Sequence, residues 1–127
     1  MSQKVVFSII ESPLHPNFTD LYRKLNLENV QLGSMRKAIS QLKKQKPDYV
    51  VAEFMYGYGN NYAGVNVSNL DVFLHSLQKY APEAKVIAMV EKHEVKYVPK
   101  LLELFTLHAV LQHPVSQQAL LSVLEEE

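Results

Sequence analysis

The sequence predicts an α/β fold built on a five-stranded parallel sheet. Short apolar runs alternate with amphipathic stretches at helical spacing along the chain. Three of the runs, at residues 5–10, 49–55 and 85–90, are apolar at nearly every position, as strands covered on both faces require. Strands that alternate with helices pair in parallel through right-handed crossovers.

Each element has its own signal. The first strand is residues 5–10. A helix over 17–27 follows, with Phe18, Leu21, Tyr22 and Leu25 at helical spacing. Residues 29–32 form a weaker, shorter second strand. Ser34 caps a helix over 35–45 whose apolar stripe is Met35, Ala38, Ile39 and Leu42. Lys43, Lys44 and Lys46 crowd its end, where cations suit the helix dipole. Residues 49–55 are the third strand. Ser68 caps a helix running to residue 80, with Leu70, Phe73, Leu74 and Leu77 inward. The fourth strand is 85–90. Pro99 suits the first turn of a helix over 100–107, preceded by a looser turn from His93. The fifth strand is 108–112. Ser116 caps the last helix, 117–126, with Ala119, Leu120, Val123 and Leu124 inward. This order fits a three-layer αβα, doubly wound, flavodoxin-like domain with strand order 2-1-3-4-5, spanning residues 1–127. No repeat, linker or low-complexity tract interrupts it. The one long irregular stretch is GYGNNYAGVNV, residues 57–67.

Composition narrows the function. The chain is 47% hydrophobic and 20% charged, which is globular composition. Its formal net charge of +0 gives no overall bias toward nucleic acid or anionic lipid. Lys43–Lys46 read as a helix end, not as a binding stripe. With no cysteine there is no disulfide, thiolate metal site or cysteine nucleophile. No apolar run approaches the roughly 18 residues that span a bilayer. The N-terminal stretch reads as a first strand and not as a signal peptide. The expectation is a cytoplasmic protein with no nucleic-acid or membrane partner.

In doubly wound sheets, ligands gather beyond the C-terminal ends of the strands, beside the first and third. Glu53, in PDYVVAEFMY, stands near that end of the third strand. A buried carboxylate is costly unless something satisfies it. Glu53 is therefore either a crevice residue or a solvated polar residue at a strand end.

The segment 38–54, AISQLKKQKPDYVVAEF, resembles the second helix and third strand of response-regulator receiver domains of the chemotaxis type, whose strand reads P-D-x-V-h-h-D with h apolar. Pro47, Asp48 and Val50 match, and Glu53 stands where that family keeps its phosphoaccepting aspartate. Residues 106–114, TLHAVLQHP, resemble the family's G-A-x-x-h-h-x-K-P. Pro114 is retained, His113 replaces the lysine, and Thr106 replaces the glycine. The resemblance implies a cis His113–Pro114 bond. In VVFSIIESP the family's acidic pair, which holds magnesium, becomes Ile10 and Glu11. In KVIAMVEK the family's Thr or Ser becomes Val90, which cannot donate a hydrogen bond to a phosphoryl group.

The resemblance thus implies a degenerate phosphoacceptor site of Glu53, Glu11, Val90, His113 and Pro114. Phosphoryl transfer to a carboxylate needs a placed nucleophile, a divalent cation and donors that collect developing charge. A glutamate shifts the carboxylate by roughly 1 Å, and such misplacement costs about 100-fold. The expectation is no enzyme, no cofactor and no metal. Glu53 could instead imitate a phosphorylated aspartate, or pair with His113. Glu11, Glu53 and His113 have metal-ligating chemistry but no local ligand spacing. His15, His75, His93 and His108 read as surface or satisfied packing histidines.

Two further features point to partners. Tyr56, Tyr58, Asn60, Asn61 and Tyr62 lie among glycines, a composition common in binding loops. The last helices and fifth strand, including Tyr97, Lys100, Glu103, Leu111 and Gln117, form a face through which receivers commonly pair. The leading reading is a pseudo-receiver, a non-phosphorylatable signalling module in a two-component-type pathway acting by protein–protein interaction or self-association. The alternatives are a small-molecule or flavin-type binding protein on the same fold and an atypical receiver using glutamate. The chain ends at Glu127, just after the last helix, which fits a stand-alone adaptor or an excised domain.

Overall fold

The computed structural model describes residues 4–10, 18–54, 70–103, 105–112 and 115–125. Its elements in order are β1 (Lys4–Ile9), α1 (Thr19–Lys24), β2 (Leu27–Leu32), α2 (Met35–Leu42), β3 (Tyr49–Glu53), α3 (Asp71–Tyr80), β4 (Lys85–Val90), a 3-10 turn (Lys92–Tyr97), α4 (Val98–Leu102), β5 (Ala109–Gln112) and α5 (Gln117–Glu125). All strand pairs are parallel, in the order β2-β1-β3-β4-β5 predicted for a flavodoxin-like sheet.

Alternation along the strands builds two cores. Val5, Phe7, Ile9, Val50, Ala52, Val86, Ala88 and Val90 pack with Ala38, Leu42, Phe73, Leu77 and Leu101 under α2, α3 and α4. Val6, Tyr49, Val51, Ile87 and Met89 pack with Leu21, Tyr22, Leu120, Val123 and Leu124 under α1 and α5.

Asp48 explains the Pro-Asp pattern ahead of β3 in physical terms. Its Oδ2 accepts from Val5 N at 2.8 Å, its N–H donates to Val5 O at 2.8 Å, and its carbonyl accepts from Lys85 N at 3.0 Å. One residue therefore ties the N-terminal ends of β1, β3 and β4 together.

Several predicted boundaries move. The first helix is shorter than 17–27: Asn26 adopts φ 59°, turning the chain in the left-handed region, so Leu27 opens β2 instead of closing α1. β2 is accordingly longer than 29–32. α2 stops at Leu42, and Lys43 and Lys44 lie in the turn after it. β3 ends at Glu53, and β5 begins one residue after His108. α4 starts at Val98, because Pro99 needs no backbone donor in a first turn, and it ends before the predicted 107. The Ser34 cap holds, accepting from Lys37 N at 3.2 Å, and so does Ser116, accepting from Ala119 N at 3.0 Å. The Ser68 cap lies outside the described residues. No helix among the described residues is long and apolar enough to cross a membrane.

Candidate functional site

The C-terminal edge of the sheet carries the candidate site. Ile9 pairs with Ala52, and Glu53 pairs with Met89. Phe54 N extends the ladder with a 2.8 Å bond to Met89 O, and Ile10 N bonds Leu32 O at 3.2 Å. Glu53 continues the row of Tyr49 and Val51, the row directed at α1 and α5. It is only 4% exposed, and the residue is not without a partner. The expectation of a solvated residue at a strand end is therefore corrected: burial requires that such a carboxylate be satisfied within the protein.

Val90 is fully buried and belongs to the opposite core, under α2–α4. Glu53 and Val90 thus stand at adjacent strand ends but in rows on opposite faces of the sheet. Valine there offers dispersion contact and no hydrogen bond. Glu11, His113, Pro114, Tyr56, Tyr58, Asn60, Asn61 and Tyr62 lie outside the described residues, as does the His113–Pro114 bond. Among the described residues, no group of three or more His, Cys, Asp or Glu is arranged to hold a metal ion.

Three buried polar residues escaped the sequence reading as site candidates. Ser8, 4% exposed, lies in β1 opposite Val51, on the row that faces α1. Tyr22 of α1 is 1% exposed, and its hydroxyl makes no hydrogen bond among the described residues. Burial pushes the Tyr22 phenol well above its ordinary range, and the Ser8 hydroxyl opposes this as the smaller effect. Ser8, Tyr22 and Glu53 therefore share one layer of the molecule. Asp71, 1% exposed, opens α3, where the helix dipole favours a carboxylate. Its position at a helix start was the signal available in the sequence. Ser8 had none, being a single polar residue inside an apolar run.

The proposed partner face is partly apolar. Leu102 and Val110 are exposed, Tyr97 and Leu111 are half-buried, and Lys100, Glu103 and Gln117 are exposed. Lys96 and Lys100 lie over the Tyr97 ring at 5.3 and 5.9 Å. Each such exposed contact is a weak cation–π interaction.

No family model matches the chain, and no curated protein is a significant match. Solved structures do match. A CheY-like response regulator receiver domain protein from Methanospirillum hungatei superposes with a TM-score of 0.72 at 12% identity, over 98% of this chain and 92% of its own. The chemotaxis protein CheY4 of Vibrio cholerae gives 0.72 at 11%, over 98% of both chains. A response regulator receiver domain protein from Clostridium thermocellum gives 0.68 at 18%, over 96% of this chain and 90% of its own. At these identities the likeness is one of fold.

Proposed function

We propose that the chain is a receiver-type signalling module of a two-component-type pathway that has lost aspartyl phosphotransfer and works by binding a protein. The fold shared with receiver domains supports the signalling part. The observation that carries the rest is Glu53: a longer carboxylate, 4% exposed, stands where the resemblance puts the phosphoacceptor. A phosphodonor must reach a nucleophile in line and at near-contact distance. A carboxylate that is 4% exposed is poorly offered to such an approach, which supports this reading. Val90, fully buried, replaces the hydroxyl that would bond the phosphoryl group.

The partner face is proposed on the last helices and β5, where Leu102 and Val110 are exposed and the exposed Lys100 and Glu103 neighbour Leu102 in α4 and its cap. Exposed apolar residues ringed by charge are the composition of an interaction surface.

The test is a backbone NMR titration with magnesium, then with magnesium plus beryllofluoride. No clustered shift is expected at Glu53, Phe54, Met89 and Val90. A saturable cluster there would establish a glutamate-using receiver and overturn the reading.

A further inference from the structure

We infer that α5 is a separately releasable element, held at its last turn by a two-donor clamp of Tyr49 and His108. A helix leaves its last four carbonyls without intrahelical donors. In α5 two of these are on Val123 and Leu124. The Tyr49 hydroxyl donates to Leu124 O at 3.3 Å, in a buried position. His108 Nε2 lies 3.3 Å from Val123 O. A carbonyl only accepts, so Nε2 carries the proton, and both the neutral Nε2–H form and the imidazolium satisfy the contact.

The two donors come from different strands. Tyr49 opens β3, and His108 immediately precedes β5, both at the N-terminal edge of the sheet. They meet on one helical turn. Among the described residues, the rest of the attachment of α5 is apolar packing on one face. Leu120, Val123 and Leu124 are its buried apolar anchors. Its flank toward α1 is open, a groove of about 440 Å³ lined by Leu21, Lys24, Leu25, Gln117, Gln118 and Leu121. Elements with few buried contacts open before the rest of a domain does. The clamp therefore sets how often α5 lifts, while the β1–β3–β4 centre sets when the whole fold is lost. It does not depend on what the molecule binds.

Native-state amide hydrogen exchange on the whole chain tests this, with Tyr49→Phe, His108→Leu and the donor-keeping His108→Gln. Tyr49→Phe and His108→Leu should each speed exchange of the α5 amides about fivefold, the effect of one ordinary hydrogen bond. Amides of β1, β3 and β4 should keep their protection, and His108→Gln should recover most of the loss. Side-chain nitrogen spectra should show the Nε2-protonated form of His108. Exchange of α5 only together with the central strands would overturn the inference, and so would an Nδ1-protonated neutral His108.

Discussion

At the scale of single residues, Tyr22 carries the clearest energetic consequence. A hydroxyl buried without a partner costs about 1–3 kcal/mol. Tyr22→Phe removes the hydroxyl and keeps the ring, so it should stabilise the fold by about 1 kcal/mol, read as a higher urea midpoint at unchanged slope. The same residue makes the fold alkali-sensitive. Its phenol is held neutral by burial in the native state, whereas in the unfolded chain it ionises near pH 10. The native state then binds the extra proton, so stability is intact below pH 10 and falls as pH rises above it. The slope from this one group is about 1.4 kcal/mol per pH unit, and Tyr22→Phe should remove it from the alkaline arm of a stability–pH curve. The position of Glu53 was legible in the sequence, because period-two alternation from Tyr49 places it at a strand end. Its burial was not, since that depends on elements far away in the chain. The approach of Tyr22 to Ser8 in one buried layer was hidden for the same reason: α1 and β1 meet only through tertiary packing.

At the scale of elements, the periodic signals located each helix and strand among the described residues, and the errors cluster at their ends. Leu21, Tyr22 and Leu25 set a helical rhythm that Leu27 extends by coincidence. Asn26 ends it by taking the left-handed conformation that asparagine tolerates better than most residues. α4 was displaced because Pro99 suits a helix start without dictating its length. Asp48 is the element-level keystone, since its side chain and backbone join three strands where they begin. Asp48→Ala should cost about 1.5–3 kcal/mol, the value of a hydrogen bond from a backbone donor to a carboxylate. Asp48→Asn, which keeps an acceptor oxygen, should cost less. Chemical denaturation of the two variants side by side checks both.

At the scale of the whole molecule, the strand order followed from the alternation of elements and from connection rules, and the fold neighbours agree with it. The two cores on either side of the sheet were readable from the near-continuous apolar runs. The candidate site was legible as a set of substitutions against a resembling family; of that set, Glu53 and Val90 lie within the described residues. What composition and spacing could not express is that those two belong to rows on opposite faces. β1 has a mechanical consequence. It runs between β2 and β3, parallel to both, along residues 4–9 on one side and 6–9 on the other. A pull on Lys4 against an anchor at Gly33 loads the strand lengthwise, and neighbouring bonds share the force instead of opening in turn. Tethered at those two points, the chain should resist and then rupture in a single event, with a lifetime set by its unfolding rate. Tethered at Lys85 and Ala109, the N-terminal ends of the parallel neighbours β4 and β5, it should unzip bond by bond at lower force, so optical-trap traces from the two geometries would show a protein stiff in one direction and yielding in another.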